Sequence, residues 1–314
     1  MKLDLGNGMT FDAQAAFGFV TAQATHIEAE VNATVYPDIQ YQDLIPVDTS
    51  AHPFAQTVTY YSSDIYGKAK WINGNSDDIP LAGTERAQHK TSVYTAGIGY
   101  GFGWEEVGVA MMMGVNLQND DAMAARRAYE EHVDAVALSG SAEKGFSGFI
   151  NYPGVTAVAV TTGDWEGGVT TEDQILADVN NLILGVANGT NYTSIADTLL
   201  MSPGRMNFLA TQRLGDTTMT ILEFLRKNNT YTAMTGRPLT IRAVRGLETA
   251  GAGATQRMIA YRRNPAVLKL HIPMPHRFLG VFQDGPLHWV NPGVFRLGGL
   301  DIRRPAEVRY GDGI

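Results

Sequence analysis

The glycines of GIGYGFG, at 97, 99, 101 and 103, are spaced as a phosphate-cradling loop would space them. A dinucleotide fingerprint, however, needs a tight turn that opens a helix inside a βαβ unit. Here Tyr94, Ala96, Ile98, Tyr100, Phe102 and Trp104 fall on one face and the glycines on the other, which is strand periodicity, and a strand with its aromatic face buried is the expectation. GAGATQR at 251–257 lacks the Lys-Ser/Thr of a phosphate loop and reads as a flexible surface loop. Ser147 lies in Gly-Phe-Ser-Gly rather than the G-x-S-x-G of a nucleophile elbow, so it reads as a turn serine. The histidines, at 26, 52, 89, 132, 271, 276 and 288, show neither H-E-x-x-H nor close paired spacing. His271 and His276 flank Pro273 and Pro275 and read as strand-end residues. Asp77 and Asp78 beside Gly74 fall short of a calcium loop because the EF-hand pattern is absent; a solvated loop tip is expected. With no cysteine, disulfides, thiolate metal sites and cysteine nucleophiles are excluded. No catalytic, cofactor or metal site is expected.

Composition narrows the class further. At 314 residues, 44% hydrophobic and 18% charged, the chain is an ordinary folded protein with enough length for one large domain or two smaller ones. The longest nearly unbroken apolar run, 107–115, is far below the ~20 residues of a membrane span, and the opening MKLDLGNGMTFD lacks the apolar core of a secretion signal. A net charge of −8 argues against a protein whose main task is gripping nucleic acid. Seven lysines against seventeen arginines favour bidentate, interface-type basic contacts.

The elements themselves are legible in part. Residues 11–33 carry Phe11, Ala15, Phe19, Ala22 and Ile27 at roughly helical spacing, and the proline-marked stretch around Pro37 and Pro46 reads as an extended arm. Runs at 57–62 and 66–72 read as strands leading into a polar loop over 73–90, with a third strand returning through 94–104. Residues 105–114 read as a short apolar helix opened by Glu105 and Glu106, with Met111, Met112 and Met113 as adaptable packing. NDDAMAARRAYEEHVDAVALS at 119–139 is a long helix, with Asn119 or Asp120 as cap and Gly140 as its stop. On it, Arg126 to Glu130 and Arg127 to Glu131 stand at i,i+4 spacing. Farther on, 170–187 is an amphipathic helix capped by Thr170 or Thr171, with Ile175, Val179, Leu182 and Val186 facing a core. A strand at 197–202, helices near 203–213 and 217–228, and strands in LTIRAVRGL, RMIAYRR and VLKLHIPM follow. The order of elements indicates an α+β chain with interleaved domains.

That order, together with the passage Gly140–Gly148 into FINYPGV and the ending RRPAEVRYGDGI, resembles the major capsid proteins of tailed bacteriophages, the Hong Kong ninety-seven-type shell fold. The resemblance covers nearly the whole chain. It implies a phage capsid shell fold with an N-terminal arm (1–46), an extended β loop region (47–104), a peripheral domain with a spine helix (105–155), an axial domain (156–269) and returning peripheral strands (270–314).

The resemblance also implies a structural subunit, not an enzyme. It would self-assemble through pentamers and hexamers into an icosahedral head around double-stranded DNA, without sequence-specific binding. Portal, scaffolding or decoration proteins are the further partners implied. The location implied is the virion, with assembly in the cytoplasm of a bacterial host and no membrane. Inter-subunit contacts are expected from Arg126, Arg127, Glu130 and Glu131 on the spine, and from Lys68, Lys70, Asp77, Asp78 and Arg86 on the loop. An encapsulin-like nanocompartment shell is the non-viral alternative, needing a pocket for cargo-peptide tails. An α+β hydrolase or binding protein is the rival from another class.

Overall fold

The computed structural model describes residues 2–4, 10–12, 38–72, 74, 79–106, 117–167 and 170–314. Two compact units are present, residues 1–38 and 39–314. In the first, Lys2–Asp4 pairs antiparallel with Thr10–Asp12, placing Leu3 opposite Phe11. The helix expected over 11–33 therefore does not begin at Phe11, which alternates with polar neighbours in a strand; residues 13–33 lie outside the described residues.

In the second unit, strand alternation divides the apolar residues between two cores. A five-stranded mixed sheet runs in the order Thr156–Ala159, Val308–Asp312, Arg257–Tyr261, Thr198–Met201, Thr240–Ala243. Its two outer pairs are parallel and its inner pairs antiparallel. Leu200, Ile259, Tyr261, Val308 and Tyr310 point into one core, while Leu199, Met201, Met258 and Ala260 point into the other. Successive strand residues face opposite sides, so one pattern feeds two layers.

The first core is closed by the long helix Leu117–Ser139, of 23 residues. Ala125, Tyr129, Val133, Val136 and Ala137 lie on one stripe of it and are all buried. It starts before the expected 119, so Asn119 and Asp120 fall in its first turn rather than at its cap. The second core is closed by Glu172–Gly189, whose Ile175, Val179, Leu182 and Val186 are all buried as the spacing requires. Thr171 caps that helix, with the Gln174 side chain accepting from its N–H at 2.9 Å. Helices Pro203–Thr211, Ile221–Lys227 and a short Thr230–Thr235, which the pattern did not announce, complete this layer.

Three small sheets join the middle of the chain to its end. Val47–Asp48 pairs with Leu268–His271, which pairs with Gly299–Ile302. Tyr94–Gly97 joins Gly293–Leu297 and Met274–Phe278; Tyr100–Gly103 joins His288–Asn291 and Phe282–Gly285. The single strand expected over 94–104 is thus two, broken at Ile98-Gly99 where the chain changes partner. Its periodicity was nevertheless informative. Ala96, Ile98, Tyr100 and Phe102 are half-buried, whereas Tyr94 and Trp104, at the two ends of the face expected to be buried, are exposed; a Cβ at Gly99 would collide with the backbone of Asn291 and Pro292.

Three other expectations need correction. Residues 39–46 are not an arm: Tyr41–Leu44 is a helical turn, and Tyr41, Leu44 and Ile45 are buried in the first core. Their i, i+3, i+4 spacing is a helical face hidden between prolines. Asp134 of the long helix accepts from the N–H groups of Gln40 and Tyr41, both at 2.9 Å, and fixes the turn. Residues 83–90 of the polar loop expected over 73–90 belong to the strand Gly83–Ser92, and the strand expected at 66–72 is not formed beyond Tyr66. Finally, the tail of the region 270–314 leaves the small sheets: Val308–Asp312 lies within the five-stranded sheet beside residues 156–159 and 257–261. Residues 104–106 are helical, and 107–116 lie outside the described residues.

Candidate assembly surfaces

Strands Thr57–Tyr66 and Gly83–Ser92 pair over ten residues, Thr57 with Ser92 through Tyr66 with Gly83. This two-stranded ribbon has almost no buried face: beyond Tyr60 nearly every residue is exposed. At its far half Ile65 is 77% exposed, and in the segment between the strands Trp71 is 103% and Leu81 85% exposed. An isolated two-stranded ribbon is marginal in water, and large exposed apolar groups along it gain nothing within the subunit. Asp64 stands directly opposite Glu85, a like-charge pair that opposes pairing. The root is anchored. The Arg303 guanidinium lies 4.6 Å from the centre of the Tyr60 ring, which stacks on His89 at 4.7 Å. Arg296 donates to Pro53 O at 2.9 Å.

The expected contact residues fall on two surfaces. Lys68, Lys70 and Arg86 are exposed on the ribbon; Asp77 and Asp78 lie outside the described residues. On the long helix Arg127 pairs with Glu131 at 3.0 Å, both side chains half-exposed. Arg126 and Glu130 do not form the i,i+4 pair. Glu130 instead accepts the Tyr41 hydroxyl at 2.7 Å, and Arg126 stays exposed. Burial first, then that bond to the Glu130 carboxylate, raises the Tyr41 pKa, so the phenol remains a donor.

The long helix ends in a junction built from segments far apart in the sequence. The long helix stops at Gly140, which has φ +83, and the chain turns back through Gly140–Ser141 and Phe146–Ser147. Asn151 closes the turn: its Oδ1 accepts from Gly148 N at 2.9 Å and its Nδ2 donates to Ser139 O at 3.0 Å. Next to it, Arg257 donates to both Asp312 oxygens at 2.6 and 2.9 Å and to Ile150 O at 2.6 Å. The same guanidinium lies 4.4 Å from the centre of the Tyr310 ring. The Tyr310 hydroxyl donates to Phe149 O at 2.5 Å and accepts from Tyr152 N at 3.2 Å. Burial keeps that phenol protonated. Segments FINYPGV and VRYGDGI, read separately in the sequence, are therefore one junction. Arg257, assigned to a surface loop, is its buried centre; the loop proper is tied to it by Ala252 N to Asp312 at 3.1 Å and by Gly313 N to Gln256 O at 2.9 Å.

Among the described residues no three His, Asp or Glu groups come close enough to hold a metal ion. A cavity of about 480 Å³ is lined by Tyr192, Ser194, Asp197, Tyr231 and Arg262. Ser194 in it donates to Glu307 at 2.7 Å. Arg262 and Arg304 also hold that carboxylate, at 3.4 and 3.1 Å. Among the described residues no helix is long and apolar enough to cross a membrane.

Comparison with known proteins gives the same direction. The family model described as "Major capsid protein" matches residues 67–314. No curated protein matched the sequence. Among solved structures, the capsid of Myoviridae phage XM1 is similar at 18% identity and TM-score 0.78, covering 98% of this chain and all of that one. A Mycobacterium phage Bobi chain is similar at 13% identity and TM-score 0.60, covering 91% and 94%. The capsid of an empty GTA particle is similar at 11% identity and TM-score 0.57, covering 95% and 97%. At these identities the structural likeness speaks for the fold; the family match, spanning well over half the sequence, speaks for the role. A mixed helix and sheet body with an unburied ribbon is a structural subunit of a viral shell, and the chain belongs to the major capsid protein family.

Proposed function

We propose that this subunit assembles through pentamers and hexamers into an icosahedral phage head that encloses double-stranded DNA, and that it has no catalytic activity of its own. The observation that carries the assembly reading is the ribbon: ten paired residues with Ile65, Trp71 and Leu81 left to solvent. Apolar groups of this size, buried at ~25 cal/mol per Å², favour association far more than they favour the fold of one subunit. The ribbon lies across a neighbouring subunit, with Lys68, Lys70, Asp77, Asp78 and Arg86 meeting charges there. Arg126, Arg127, Glu130 and Glu131 on the long helix supply the matching surface. Residues before 39 act as the N-terminal arm. The long helix and the small sheets form the peripheral domain, and residues 156–269 with the final strand form the axial domain. The net charge of −8 suits a wall that confines DNA without gripping it. Portal, scaffolding or decoration proteins complete the head, and assembly takes place in the host bacterial cytoplasm.

The test replaces Tyr61 and Ile65 together by Ser. Both sit on one face of the ribbon, and both are exposed. Sedimentation and negative-stain microscopy should show particles from the wild type and free or small oligomeric subunits from the variant, with unchanged circular dichroism. Normal particles from the double variant would refute the ribbon's role; monomers from the wild type would refute the shell.

A further inference from the structure

His271 is 1% exposed and its Nε2 makes no hydrogen bond. Its ring stands between two carboxylates, with Asp48 Oδ2 3.8 Å from Nδ1 and Asp301 Oδ2 3.6 Å from Nε2. The three residues belong to the three strands of one sheet, His271 on the central strand, Asp48 and Asp301 on the strands either side. A neutral imidazole carries one N–H and one lone pair. Whichever nitrogen holds the hydrogen, the other aims its lone pair at a carboxylate. Only the doubly protonated ring carries an N–H toward both carboxylates.

The other ionisable groups around the ring are Asp48, Lys269, Asp301, Arg303, Tyr60 and Tyr152. Burial works against the Asp48 charge, but the Ser50 hydroxyl and N–H and the Lys269 ammonium at 3.0 Å outweigh it and hold that carboxyl below the usual range. Asp301 pairs with Arg303 at 3.1 Å. The phenols of Tyr60 and Tyr152 are raised by burial and then by the Asp301 charge, so both stay neutral. Histidine is the side-chain type whose charge changes between about pH 5 and 8.

We propose that His271 is a proton-operated clamp: when protonated it ties Val47–Asp48 and Gly299–Ile302 to the central strand, fixing the root from which the ribbon leaves. The chain runs from Asp48 to the ribbon's start at Thr57, and Arg303, next to Asp301, is the residue packed on Tyr60. Two of the root's attachments thus lead to the carboxylates that His271 faces; the Arg296–Pro53 contact and the return of the chain into Tyr94–Gly97 belong to the neighbouring sheet. Acidification stiffens the root, and alkaline conditions release it.

The test is hydrogen exchange by mass spectrometry on the full-length protein, held in one assembly state checked by sedimentation, so that its failure is separable from failure of the shell reading. Corrected for intrinsic rates, the wild type should gain about tenfold protection over 45–50 and 298–303 on going from about pH 8 to about pH 5.5, the scale of a charged hydrogen bond. His271→Gln, which keeps a donor and an acceptor but takes up no proton, should show no such gain. An equal gain in that variant, or none in the wild type, overturns the clamp. If His271→Gln fails to fold, Asp48→Asn replaces it: losing one flanking carboxylate must shrink the gain, and an undiminished gain overturns the proposal.

Discussion

At the scale of single residues, the groups that matter most are buried and charged. Arg257 and Asp312 are each less than a tenth exposed, and their bidentate pair is surrounded by Tyr310 and the Ile150 carbonyl. Breaking such a pair from one side leaves an uncompensated buried charge. Asp312→Asn should therefore cost about 3–5 kcal/mol in the urea unfolding of the subunit, whereas replacing both members by apolar residues of similar size should cost far less. Asp48 gives a prediction about pH. Its carboxyl is held below its ordinary value, so its contribution is fully present above the unfolded value of about 4 and is lost as pH falls below that. Asp48→Asn should lower the thermal midpoint at neutral pH and flatten the acid limb of the profile below about pH 4. An acid limb unchanged from wild type would show that other carboxylates dominate.

At the scale of elements, the end of the long helix is the tightest constraint. Gly140 adopts φ +83, and a Cβ there would meet Phe146 O and, at 2.6 Å, Gly148 N. Gly140→Ala combines backbone strain with a collision against backbone, which has no flexible end to move aside. It should destabilise the subunit by more than about 1 kcal/mol, read from the denaturant midpoint at constant m-value. Gly145, also at positive φ but open on all sides, is the control: alanine there should cost less. The ribbon obeys the opposite logic. Its sequence is polar, carries a like-charge pair and exposes its largest apolar groups, so nothing in the subunit's own stability explains its length.

At the scale of the whole molecule, a subunit of a lattice tolerates surface changes that its assembly does not. Arg127 and Glu131 form a half-exposed i,i+4 pair, worth a few tenths of a kcal/mol to the helix. Arg127→Glu should leave the unfolding midpoint within about 0.5 kcal/mol of wild type, since surface changes rarely exceed that. Particle yield should nevertheless fall, because each symmetry-related contact repeats the reversed charge. Circular dichroism with sedimentation measures both arms, and full particle yield from the variant would remove the helix charges from the interface.

Local periodicity by itself determined the parts of this protein that are long and amphipathic. The spacing of Ile175, Val179, Leu182 and Val186 placed a helix face in the core, and Gly140 marked a helix end, because both depend on neighbours within a few residues. The alternation around Tyr100 likewise identified strand, and the order of elements pointed to the shell fold. Tertiary structure decided what depends on distant partners. Strand Gly83–Ser92 looked like loop because polar residues on both faces leave no pattern when neither face is buried. Tyr41 and Leu44 looked like an arm because the wall they pack against, Asp134 and Tyr261, lies 93 to 217 residues away. Arg257 looked like loop because its partner Asp312 is 55 residues on and in another strand. His271 looked like a strand end, and only the sheet, by bringing Asp48 and Asp301 to either side of it, made it a residue between two charges.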